Sequence, residues 1–146
     1  MELGLATSAP VGIARRTAPI VGGCALAATA ALVATNNPGA AGSRYPACVF
    51  RQMTGLWCPG CGLTRGTYEL LHGHIGSALS YNLFTPLALV AIIAVWVVWL
   101  RTSWGAQPMH VPARTGRVLA IILPTSLIVY GVLRNIPAHA LQALAP

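Results

Sequence analysis

The stretch YNLFTPLALVAIIAVWVVWL, residues 81–100, runs for twenty residues without a charged side chain. A helix rises about 1.5 Å per residue, so this run matches the roughly 30 Å hydrocarbon core of a bilayer. Ile92, Ile93, Val95, Val97 and Val98 form its apolar centre. Two further runs meet the same length requirement less strongly. The first, 18–35, is rich in Ala and Gly. The second, 117–134, is short, but Arg117 and Arg134 at its ends can extend their stems along the apolar surface and reach the interface. Pro124 and Gly131 inside it permit a bend, which membrane helices tolerate better than soluble ones. The expectation is an all-α integral membrane protein, one membrane domain over 1–146, with spans at about 18–35, 81–100 and 117–134 and a long loop at 36–80.

Composition supports the same class. Charged residues make up 8% of the 146-residue chain, against about a quarter in soluble domains. All nine basic residues are Arg, and the two acids are Glu2 and Glu69. A net charge of +7 raises nucleic acid as a partner, but the arginines are scattered around apolar runs with no basic stripe and no interleaved aromatics. Anionic lipid headgroups and topology explain them instead, so the first partner is the bilayer itself. With two acids in the chain, general acid–base catalysis by paired carboxylates has no material to work with. No nucleotide loop or hydrolase triad is present. The spans hold no ionisable residue that would mark a transport pathway.

Arg15 and Arg16 precede the first run, and Arg101, Arg114 and Arg117 fill the short second loop. By the positive-inside rule both lie in the cytoplasm, which puts the N-terminus inside and the 36–80 loop outside, although that loop carries Arg44, Arg51 and Arg65. Arg15-Arg16 followed by an Ala-rich run also has features of a secretory signal; the reading taken is a retained first span.

The outer loop carries the concentrated chemistry of the chain: Cys58-Pro59-Gly60-Cys61-Gly62-Leu63-Thr64-Arg65. Pro fixes the turn, and two sulfurs three residues apart can share a metal or a disulfide. After Cys61 the sequence is compatible with a short helix, with Leu63, Leu70 and Leu71 on one side and Gly73 at the C-cap position; Ile75, Ala78 and Leu79 give a second amphipathic piece. Both are apolar enough to rest on the bilayer surface as a lid. Cys61 at the first turn of the helix, with Arg65 one turn on, is expected to be the more acidic thiol. Arg65 either pairs with Glu69 or turns inward. Cys24, among Gly22, Gly23 and alanines, is expected to be inert packing in the first span. Trp57, Trp96, Trp99 and Trp104 read as interface anchors and lipid-facing aromatics. His110 and His139 read as solvated side chains.

Cys48-Val49-Phe50-Arg51, Thr54-Gly55, the eight-residue turn, Leu70-Leu71-His72-Gly73, Asn82, and Arg134-Asn135-Ile136-Pro137 together resemble a family of small bacterial membrane proteins known as domain of unknown function 2752. The resemblance implies a multi-pass protein of the bacterial cytoplasmic membrane and assigns no activity. His74 stands where the family often has an acid, and Leu83 where it often has Pro.

Three uses of the sulfurs follow from the residues. Cys48, Cys58 and Cys61 with His72 or His74 make a three-sulfur, one-nitrogen set suited to zinc. Cys48 with Cys58 or Cys61 could form a disulfide that staples the loop. Cys58 and Cys61 could exchange thiol for disulfide, although no alternation of strands and helices surrounds them. Arg134 and Asn135 follow the third span and emerge on the side of the loop, where the Arg fork and the Asn amide can bind carbonyls of the Cys58 to Arg65 turn. The functional expectation is an accessory or assembly subunit of a membrane complex, with a membrane-protein partner or a homo-oligomeric assembly. The alternative is a membrane thiol-disulfide or electron-transfer component.

Overall fold

In the computed structural model, which describes residues 11–43 and 45–137, every regular element is a helix. In order these are α1 (Val11–Thr35), α2 (Val49–Thr54), α3 (Leu63–Leu71), α4 (Ile75–Tyr81), α5 (Thr85–Ser103) and α6 (Ala113–Leu133). Three segments, Gly12–Thr35, Thr85–Ser103 and Ala113–Leu133, are long and apolar enough to cross a membrane. Their aliphatic side chains point outward, with Val95 at 70% exposure and Ile128 at 66%. Water would not tolerate such a surface, whereas lipid covers it. Glu2, Arg44 and His139 lie outside the described residues.

The middle span starts later than its hydropathy suggests. Tyr81 closes α4 and Asn82 is that helix's C-cap in extended conformation. The Asn82 side-chain oxygen accepts the Phe84 N–H at 2.9 Å, and its backbone carbonyl accepts the Thr85 N–H at 3.0 Å. This turn redirects the chain before Pro86 enters the first turn of α5, where its missing N–H costs nothing. α2 is an additional short helix that the sequence pattern did not indicate.

α1 and α5 pack through small residues against large ones. The Trp96 ring covers Gly23 and the Trp99 ring covers Gly22, so closely that a Cβ would stand 2.6 Å and 2.7 Å from them. Pro19, buried within α1, offers its carbonyl to the Trp96 indole N–H at 2.9 Å. Trp96 is therefore a helix-packing residue, a correction to its reading as a lipid-facing aromatic, whereas Trp99 packs one ring edge on Gly22 and stays 43% exposed to the lipid side. Cys24 is corrected the other way: it is exposed on the outer face of α1, and the two glycines beside it make the close contact. At the far end of the pair the Trp104 indole donates to Arg16 O (3.3 Å) and Arg15 donates to Thr102 O (3.1 Å). The N-terminus of α1 and the C-terminus of α5 thus share one end, with Arg101 beside them. The 36–80 loop lies at the other.

α6 reaches that other end with its C-terminal turn. Among the described residues, its hydrogen bonds to other elements all come from Tyr130 and from Arg134 and Asn135 just beyond. Tyr130 is buried, accepts the Leu83 N–H at 3.2 Å and meets the Phe84 ring edge-on at 5.0 Å.

Candidate metal centre

The Cys58 to Cys61 turn is closed by the Cys61 N–H on Cys58 O at 3.1 Å. Gly62 follows at φ +88°, a left-handed conformation that a side chain would strain, and this reversal starts α3 at Leu63. Cys48 sits just ahead of α2, so the helix start points back toward the turn. The result is three sulfurs within 4.8 Å of one another. Cys48 Sγ lies 3.5 Å from Cys58 Sγ, and Cys58 Sγ lies 2.8 Å from Cys61 Sγ. Around zinc, with Zn–S bonds of about 2.3 Å, a tetrahedral S···S edge is roughly 3.7 Å. The first separation matches that edge closely, and the second is shorter than it but longer than the ~2.05 Å of a disulfide. All three are free thiols.

His72 is not brought into this group. Its Nδ1 is 2.8 Å from Tyr68 O in its own helix. Eleven residues of mostly helical rise, about 16 Å, separate it from Cys61. His74 pairs with Glu69 at 2.9 Å, which also removes Glu69 from Arg65. Arg65 is exposed and faces the cleft above the sulfurs.

The thiols differ in acidity in the opposite sense to the helix-terminus argument. Cys61 is buried, and desolvation, with the neighbouring Cys58 and Cys48 thiols, pushes it up to about 12. Cys48 is lowered to about 7, first by the backbone N–H of Arg51 and then by the other two thiols. Burial outweighs the helix dipole at Cys61, because Cys61 precedes the cap Gly62 and points inward. A divalent ion would reverse that penalty, since a coordinating thiol is deprotonated outright.

The turn is clamped from below by three side chains. Arg134, 3% exposed, donates from Nη1 to Cys58 O (3.2 Å) and Cys61 O (2.8 Å) and from Nη2 to Tyr81 O (3.2 Å). Asn135 donates to Trp57 O (2.8 Å) and accepts the Trp57 N–H (2.8 Å), a two-way bond like a strand pair. Asn82, fully buried, donates to Pro59 O (2.8 Å) and Cys61 O (3.0 Å). Pro59 rests on Gly131, where a Cβ would come within 3.3 Å. Asn82 carries much of this clamp, and Tyr130 backs it by holding the Leu83 N–H and facing the Arg134 guanidinium, without either having been singled out for it from the sequence. A polar residue between two apolar helical pieces was the available signal for Asn82; Tyr130 had none.

Among the described residues, Arg134 has no carboxylate partner. The one acid among the described residues, Glu69, is engaged with His74. Carbonyl dipoles and the faces of Tyr130 (5.1 Å) and Trp57 (5.9 Å) surround the guanidinium. Arg51 in turn lies 3.0 Å over the Trp57 ring.

Above the sulfurs opens a cleft of about 690 Å³, lined by the three cysteines, Tyr45, Trp57, Arg51 and Arg65 among others, and by no acid.

Residues 48–96 match the family model described as Protein of unknown function (DUF2752), which supports the family resemblance. The match begins at Cys48 and takes in the turn, α3, α4, Asn82 and the first part of α5; Arg134 and Asn135 lie beyond it. No match was found to a curated protein or to a solved structure.

Proposed function

We propose that a chain with this family match and this lid works as a non-enzymatic accessory or assembly subunit of a complex in the bacterial cytoplasmic membrane. Its lid is held by a metal ion, zinc by preference, on the thiolates of Cys48, Cys58 and Cys61. The observation that carries this reading is the convergence of three sulfurs from two separate segments on one point. A disulfide uses two sulfurs; a metal uses all three. The buried Arg134 adds support. A cation without a carboxylate is costly in a membrane protein, and three thiolates around a divalent ion supply one net negative charge beside the carbonyls it binds.

The orientation that fits is the N-terminus inside and the lid outside. Arg15, Arg16, Arg101, Arg114 and Arg117 gather at the end opposite the lid, and cytoplasmic enrichment in Arg sets topology. The accessory role is supported by α6, whose hydrogen bonds to other elements come from one end, leaving its apolar flank for a partner helix or a second copy. Purification in mild detergent with identification of co-purifying chains, metal analysis and thiol counting tests the proposal. A fixed partner, bound metal and a constant thiol state support it.

The 2.8 Å approach of Cys58 to Cys61 favours one alternative, thiol-disulfide exchange. There the two thiols pass two electrons and two protons to a disulfide-bearing substrate. They become a disulfide while the substrate's S–S bond opens to two thiols. Cycling of the Cys58–Cys61 state, without metal, marks that chemistry.

A further inference from the structure

We infer that the metal's fourth coordination position opens to the cleft and is taken by a phosphate group steered by Arg51 and Arg65, an inference that rests on the three-thiolate metal reading. Structural zinc sites close with four protein ligands, whereas sites that bind an exogenous group keep three and leave one position open. Among the described residues no fourth Cys, His, Asp or Glu joins the three sulfurs, and both histidines of the lid are engaged elsewhere. Cys61 is buried while Cys48 and Cys58 are half-buried, so the free position faces the cleft rather than the bundle.

The cleft's charge selects the ligand. Its lining holds two guanidinium side chains and no acid. Arg51 is fixed by stacking on Trp57, whose backbone is held at both polar groups by Asn135. Arg65 stands one helical turn beyond Cys61 and is free of Glu69, which is taken by His74. The thiolate–metal unit alone carries one negative charge and would repel an anion. Arg51, Arg65 and Arg134 beneath the turn outweigh it and leave the site cationic. Planar forks of this kind favour phosphate oxygens through paired, charge-assisted bonds. The volume, about 690 Å³, is that of a small-molecule site. The phosphate can come from solution or from a lipid headgroup at the membrane surface.

Cobalt makes the position visible. The full chain, purified in mild detergent, stripped of metal and reloaded with Co²⁺, is expected to show thiolate-to-cobalt absorption and visible d–d bands. Adding inorganic phosphate should shift those bands saturably, and Arg51→Gln with Arg65→Gln should weaken the response by about tenfold or more. Arg114→Gln, on the opposite side, should leave it unchanged. A shift with inorganic phosphate assigns a soluble ligand. A shift seen only in phosphatidylglycerol nanodiscs, and not in phosphatidylcholine ones with their zwitterionic headgroup, assigns an anionic lipid headgroup. Cobalt bound through the three thiolates but indifferent to both overturns the fourth-ligand inference and leaves the metal reading standing. No thiolate-to-cobalt absorption in the wild-type chain overturns both.

Discussion

The guanidinium of Arg134 and the carbonyl of Cys61 meet at 2.8 Å across 73 residues of sequence, and this bond joins the end of the third span to the turn that carries the sulfurs. It is one of three bonds the same side chain gives to backbone oxygens, two on the cysteine turn and one on the end of α4. A planar fork can serve three carbonyls at once; an ammonium is a single point on a flexible stem.

Arg134→Lys should therefore loosen the lid nearly as much as Arg134→Ala. Each charge-assisted bond lost from a buried site costs about 1.5–3 kcal/mol. Proteolysis of the 36–80 loop in membrane vesicles reads the loss. Lys protecting as well as Arg, with Ala exposed to cleavage, would show a generic charge at the interface.

Asn82 offers a sharper substitution, because it donates to Pro59 O and Cys61 O from a fully buried position. Asn82→Asp keeps the shape and replaces the donor with an acceptor facing two carbonyls. The variant should lose about 2–3 kcal/mol of stability or fail to accumulate, and fare worse than Asn82→Ala. Thermal unfolding in detergent ranks the two.

In α1 the prediction concerns glycine. Gly23→Ala places a methyl 2.6 Å from the Trp96 ring, while Gly116→Ala meets nothing within 4 Å. The first should lower the melting temperature measurably, by overpacking worth about 1–3 kcal/mol, and the second should not. Trp96→Phe, which removes the donor to Pro19 O, should cost about 1 kcal/mol beyond its lost area. Equal melting temperatures for the two alanine variants would mean that α1 and α5 do not pack through these rings.

The thiols of the metal-stripped protein should react in a set order. Cys48, at about 7, should alkylate first as pH is raised, and Cys61, at about 12, last. The sign for stability follows from the same shifts. Cys48 lies below the ordinary thiol value of 9.0, so its thiolate stabilises the fold above that value and the gain is lost as pH falls through about 7. Cys61 lies above it, so its contribution is complete below 9.0 and lost as pH rises toward about 12. Mass spectrometry of carbamidomethylated peptides across pH checks the order, and Cys61 labelling ahead of Cys48 contradicts it.

Much of this arrangement is written in the sequence at the level of hydropathy. The three spans follow from the length of the apolar runs, and the short helices after Cys61 from Leu63, Leu70, Leu71 and the Gly73 cap, which takes φ +80°. What hydropathy misses is burial and partner choice. Trp96 looks lipid-facing until Gly23 and the Pro19 carbonyl are seen to receive its ring. Cys61 looks acidic by position and is the reverse because it points inward. Asn82 cuts four residues from the start of the middle span through its own turn, which no transfer scale registers. His72 could have been set aside from sequence alone, since helical rise carries it away from Cys61. α2, six residues long, is too short to show a period.

Metal content of the purified chain tests the shared sulfur centre most directly. Zinc at about one ion per chain, falling to background and taking the protein level down by a similar factor in each of Cys48→Ser, Cys58→Ser and Cys61→Ser, is the expected result. A metal-free protein with a Cys58–Cys61 disulfide, whose level is unchanged when Cys48 is replaced, would contradict it.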